Sequence, residues 1–137
     1  IDLSDTIPNV EMDVGQIQQV VMNLLNNAAD AIEERVARMH LKGETMDRRI
    51  SLVGRYNPDF ETVTIEVTDN GAGMTAETMG KVFTLHFSTK KGGHGLGLHN
   101  CKKIVEQHNG RLDVQSVVDD GSTFALTLPR FQPKKVV

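Results

Sequence analysis

At 137 residues, with 39% hydrophobic and 24% charged side chains, the chain has the length of one domain and enough apolar content to bury a core, which excludes a disordered segment. No apolar run is long enough for a membrane-spanning helix, and a formal charge of −3 argues against a general nucleic-acid binder. The lone Cys101 cannot close an internal disulfide, which suits a reducing cytosol; set among Leu98, Ile104 and Val105 at helical spacing, it reads as a small buried hydrophobe. No signal peptide, repeat or low-complexity stretch is apparent.

In chain order, Asp13-Val14-Gly15-Gln16 has the spacing of a capping box, with Asp13 as N-cap and the Gln16 side chain reaching back to it. Behind it Ile17, Val20, Val21, Leu24, Leu25, Ala28, Ile32 and Val36 follow the i, i+3, i+4, i+7 rule, predicting one long helix with Gly43 as its stop signal. "RRISLVGRY" and "TVTIEVTD" alternate as two strands around an Asn57-Pro58-Asp59 turn. "TAETMGKVF" reads as a short helix capped by Thr75, residues 84 to 95 as loop, and 96 to 108 as a helix closed by Asn109-Gly110. "RLDVQSVV" and "STFALTLP" form a second hairpin around Asp119-Asp120-Gly121. Residues 1–7 and 130–137 are expected to be peripheral, with the tail from Arg130 loosely ordered. The economical arrangement is one α/β domain over 1–137, a sheet with helices on one face.

Polar residues gather at three places. Asn23, Asn27 and Asp30 form a stripe along the margin of the long helix's apolar face, either because something needs their side-chain oxygens or because this is a solvated edge. Asp69-Asn70-Gly71-Ala72-Gly73 ends a strand. There the carboxylate emerges on the core side with Ile65 and Val67, ready for the exocyclic amine of a base or simply to cap a D-N-G turn. Gly92, Gly93, Gly95 and Gly97 precede a helix, with Lys90 and Lys91 ahead of them. That loop suits either an anion site or a flexible connector, and the lysines either added charge or a solvated face.

Taken together, "NLLNN", "DNGAG", "VFTLHFSTK" and "GHGLGL" resemble, in order, the N, G1, F and G2 boxes of the catalytic and ATP-binding domain of two-component histidine kinases, a resemblance running from about Pro8 to Pro129. It implies the superfamily's Bergerat fold: a two-layer sandwich with a mixed sheet of about five strands, about three helices on one face, and a short ATP lid. It further implies that ATP and Mg²⁺ bind between the helices. Asn27 would then hold the metal and Asn23 would sit beside the phosphates, making these the catalytic pair. Asp69 would accept from the adenine amine, with Gly71, Gly73 and Met74 near the ring. Phe83 and Phe87 would hinge or anchor the lid. Lys90, Lys91, Gly93, His94, Gly95, Leu96, Gly97 and Leu98 would close over the phosphates, and Thr123 is carried over as a further nucleotide contact.

Two departures stand out. Where many histidine kinases carry a basic residue three positions after the metal asparagine, this chain has Asp30, so Lys90 or Lys91 replaces that contact or it is absent. Where hydrolytic members place a glutamate, this chain has Asn23, which cannot act as a base. The resemblance thus implies transfer of the γ-phosphoryl to a histidine on an upstream dimerisation domain, then to the receiver domain of a response regulator, within a cytoplasmic part of a protein compatible with a membrane anchor. "NNAADAI" is similar to the nitrogen-regulation sensor kinases. The chain, opening without Met, is expected to be an excised and monomeric fragment. The competing readings are a stand-alone serine kinase or small ATPase, and a nucleotide-gated interaction module without transfer.

Overall fold

A computed structural model describes residues 2–3, 7–84 and 97–132 of the chain. Its elements are β1 (Asp2–Leu3), α1 (Val14–Leu41), β2 (Ile50–Asn57), β3 (Thr62–Asp69), α2 (Ala76–Met79), α3 (Gly97–Gln107), β4 (Arg111–Val117) and β5 (Gly121–Pro129). They form a five-stranded sheet in the order β1-β2-β3-β5-β4. Strand β1 runs parallel to β2 and the other pairs are antiparallel, so the sheet is mixed as expected. Both hairpins fall where the turn residues put them; at the first, the Asn57 side chain accepts from the Asp59 N–H.

Alternation decides which side of the sheet meets the helices. Val63, Val67 and Asp69 of β3 and Phe124, Leu126 and Leu128 of β5 are buried on one face. Against them lie Ile17, Val20, Leu24 and Ala28 of α1 with Cys101 and Val105 of α3, in a single apolar cluster. Burying a leucine side chain such as Leu24 contributes about 1.5–3 kcal/mol, enough to settle the helix's rotation. The other face is hydroxyl-rich: Thr64 bonds Thr127 and Thr68 bonds Thr123 across the ladder.

The start of α1 departs from the expected capping box. The Asp13 carboxylate accepts from the Gln16 N–H at 3.1 Å, as a cap should. Gln16 does not supply the return bond: the Asp13 N–H donates instead to His108 Nε2 at 3.0 Å. His108 is buried just past the end of α3, and its Nδ1 lies 2.9 Å from the Ile104 carbonyl, which can only accept. A proton on Nδ1 therefore leaves Nε2 free to receive the Asp13 N–H.

The tail beyond β5 is not loose over its described part. The Arg130 carbonyl accepts from Glu11, its N–H donates to the Glu61 carbonyl, and Gln132 donates to the His108 carbonyl and to Glu11. These bonds pair the strand end with the β2–β3 turn, the end of α3 and the segment before α1, so its backbone groups are satisfied within the chain. Among the described residues no helix is long and apolar enough to cross a membrane.

Candidate active site

The corner at the end of β3 is built around Asp69. Its side chain is 5% exposed, and its Oδ1 accepts from the Gly71 N–H at 2.8 Å. The carboxylate does cap the D-N-G turn, then, but a turn cap does not require burial. Burial pushes the Asp69 carboxyl above its ordinary value, while the backbone N–H groups of Gly71 and Ser122 pull it down. An acid held this way gains from a donor that reaches its remaining lone pairs.

The loop following Asp69 is clamped on both sides. The Ala72 N–H donates to the Ala31 carbonyl of α1 at 2.9 Å, and the Ala72 carbonyl accepts from Asp119 at 2.7 Å. A Cβ on Gly71 would meet the Ala31 carbonyl carbon at 2.5 Å; on Gly73, at φ 67°, it would meet the Val117 carbonyl oxygen at 2.0 Å. The glycines are needed for the loop to fit against α1 and β4, and the room a side chain would take is filled by this chain rather than left for a ring. Asn70 is equally committed, its amide bonded to Arg49 and Asp47 and its carbonyl to Arg35. Met74, half-buried against the core, donates its N–H to Ser116 Oγ.

The helix that clamps this loop through Ala31 also carries the asparagine margin. Asn23 and Asn27 are both half-buried, one turn apart, and Asp30 is exposed. The Asn23 amide donates to Cys101 Sγ at 3.5 Å, and Cys101 lies 3.9 Å from the Val20 carbonyl. A nitrogen turned toward α3 leaves the Asn23 carbonyl oxygen for whatever lies alongside. Burial pushes the Cys101 thiol up, the Asn23 bond opposing, so it stays protonated. Both flanks of the glycine-rich loop are fixed. Phe83 meets Phe124 edge-on at 6.2 Å, Lys102 lies 5.0 Å over its ring, and its carbonyl accepts from His99 Nδ1 at 3.2 Å. Gly97 and Leu98 open α3, with Leu98 against the core. Phe87, Lys90, Lys91, Gly93, His94, Gly95 and Leu96 lie outside the described residues.

Residues 12–132 match the family described as histidine kinase-, DNA gyrase B- and HSP90-like ATPase. The chain belongs to that family. Among relatives of this ATPase domain, the sensor histidine kinase ZraS of Escherichia coli strain K12 is 37% identical over 126 residues, covering 92% of this chain and 24% of ZraS. The sensory histidine kinase/phosphatase NtrB of Vibrio alginolyticus is 30% identical over 135 residues, covering 93% and 36%. The nucleotide-free catalytic domain of histidine kinase ThkA shares the fold at a TM-score of 0.73 and 27% identity, over 95% of this chain and 78% of that one. This is the ATP-binding catalytic domain of the sensor-histidine-kinase kind, and it spans about a quarter to a third of the lengths of these two curated relatives.

Within this ATPase domain, not every residue singled out from the sequence reaches the corner. Thr123 does not: its hydroxyl bonds Thr68 at 3.0 Å on the open face of the sheet. Ser122 does, standing opposite Asp69 in the β3–β5 ladder, 6% exposed. The signal was present, since the buried Phe124, Leu126 and Leu128 make even positions of β5 face inward, and a one-residue shift exchanges the faces. Ser116 was also missed, for the same reason of parity on β4.

Proposed function

We propose that the domain binds Mg-ATP between α1, the end of β3 and the start of α3, and transfers the γ-phosphoryl to a histidine on a separate dimerisation domain, for relay to an aspartate of a response-regulator receiver. The observation that carries this is the buried Asp69 carboxylate, whose bonds to Gly71 and Ser122 N–H groups leave lone pairs that an adenine amine satisfies. Gly71, Gly73 and Met74 shape the loop beside the base. Leu98, Phe83 and the glycine-rich loop with Lys90, Lys91 and His94 close the phosphate end.

The donor set fits Mg²⁺. Among the described residues no group of three or more His, Cys, Asp or Glu could cage a metal ion. Mg²⁺ needs no such cage: Asn27 would give it one amide oxygen, with water and nucleotide oxygens completing the set. Bound there, it would neutralise charge on the phosphoryl group. Asn23, held by Cys101, orients a carbonyl oxygen and cannot take a proton from water, which favours transfer over hydrolysis. In this reading the domain works in the cytoplasm, as a monomer in isolation.

Titration calorimetry tests the reading, with ATP and ADP expected to bind at one site per chain, ATP more tightly with Mg²⁺. Absence of binding by both overturns it. The chain alone should acquire no acid-labile label from ATP, because none of His40, His86, His94, His99 and His108 has an acidic residue next to it. Label on any of them would refute the need for a separate acceptor domain.

A further inference from the structure

Ser116, on the inner face of β4, joins the Asp69 corner to the loop after it. Its Oγ accepts from the Met74 N–H at 2.7 Å, lies 3.0 Å from the Gly121 carbonyl oxygen and 2.7 Å from Ser122 Oγ. A serine hydroxyl has one proton and two lone pairs. Met74 takes one lone pair, and the Gly121 carbonyl, which can only accept, takes the proton. The Ser122 hydroxyl then donates to the second lone pair of Ser116. This arrangement satisfies every group in the cluster, and it leaves Ser122 Oγ with lone pairs and no proton to offer. Ser122 stands opposite Asp69, and both are buried. The two neighbouring side chains therefore present acceptors alone.

We propose that Ser116 is a positioning residue of the base subsite: it holds the loop through Met74 and turns the Ser122 hydroxyl so that the wall beside Asp69 accepts and does not donate. The inference rests on the adenine-nucleotide reading above and extends it to base selectivity. A 6-amino purine can donate to such a wall. A 6-oxo purine would set its carbonyl oxygen against acceptors, and a buried polar group without a partner is rejected more strongly than a bulkier one.

The test compares ADP with inosine diphosphate, each displacing fluorescent trinitrophenyl-ATP from the chain. The wild type should prefer ADP. In Ser116→Ala the Ser122 proton is released toward the base, so the preference should fall roughly fivefold or more, the scale of one exchanged buried hydrogen bond. Ser116→Thr keeps the hydroxyl on a residue that suits a strand and should restore the preference. Were Ser116 only structural, Ser116→Ala would weaken both nucleotides together, and an unchanged ratio overturns the proposal; so does failure of Ser116→Thr to restore it. Should Ser116→Ala not fold, Ser116→Cys, with a similar shape and a weak acceptor, carries the same comparison. A wild type that binds neither nucleotide removes the adenine reading and this proposal with it. A wild type that prefers ADP, with a ratio indifferent to Ser116, removes this proposal alone.

Discussion

Around Asp69, contact is mostly backbone against backbone: Gly71 on Ala31, Gly73 on Val117, Ala72 bonded to α1 on one side and to the β4–β5 turn on the other. Along the α1 margin, Asn23 is steadied by a 3.5 Å donation to a sulfur, and the helix beneath is held by Leu24 and Ala28 on its other side. The corner is fixed by parts that cannot change without moving the fold, whereas the margin carries side chains that can be exchanged while the helix stays in place. In the nucleotide reading proposed above, a pocket built this way would hold the base rigidly and leave the phosphate side adjustable.

The hardest blow to the comparison comes from Gly73→Ala. The added Cβ meets a carbonyl oxygen at 2.0 Å on a residue at φ 67°, so the loop must leave β4 or the turn must shift. A stability loss of about 3 kcal/mol or more is expected from denaturant unfolding. Gly80→Ala, whose nearest contact is 3.5 Å, is the control and should change little. If Gly73→Ala unfolds within about 1 kcal/mol of wild type, the corner is not the rigid half.

Asp69→Asn should next separate binding from folding. It keeps an oxygen for the Gly71 N–H and removes a buried charge, so apo stability should hold or rise, while affinity for ADP falls about tenfold or more. The pH dependence carries the same sign. A carboxyl whose folded value is raised contributes stability that is complete below the unfolded value and is lost as pH rises through the folded one. Wild-type apo stability should thus gain on acidification relative to Asp69→Asn, while wild-type nucleotide affinity falls as the carboxylate is neutralised. Parallel pH profiles for the two proteins would remove Asp69 from base binding.

On the margin, Asn27→Ala raises helix propensity by up to about 0.7 kcal/mol. Apo melting should be unchanged or slightly higher, with the Mg²⁺-dependent part of ATP binding lost. Full Mg²⁺-dependent binding, or an unfolded domain, would make Asn27 structural. The smallest effect is expected from Cys101→Ala, which frees the Asn23 amide and leaves a small cavity: about 1 kcal/mol of stability and less than threefold in ATP affinity. A larger loss of affinity would show that Asn23 depends on Cys101 more than a single sulfur contact allows.

What was legible in the sequence follows from period and punctuation. Ile17 through Ile32 repeat at helical spacing on a long element, and the Thr75 cap bonds the Thr78 N–H as read. The insertion of β5 between β3 and β4 was not legible, because either strand of a hairpin can pair outward. Nor was β1, two residues long and specified by its partner β2 rather than by its own pattern. In the site, Asp69 was legible because alternation placed its carboxylate inward. Ser122 was lost to Thr123 by a single step of register. The glycines were recognised, but their contacts with Ala31 and Val117 were not, since close approach of this chain and of a ligand leave the same mark in a sequence.

His108 lies 95 residues from the Asp13 N–H that it receives. The first turn of α1 is therefore completed by the end of α3, not by its own sequence, and cannot acquire its full set of bonds until most of the chain has been made and brought back. Loop closure over that span precedes the reward, so the end of α1 nearest His108 belongs to the late, cooperative part of folding, while its middle forms early on local contacts. Hydrogen exchange at Asp13 should therefore report docking of α3 rather than formation of α1.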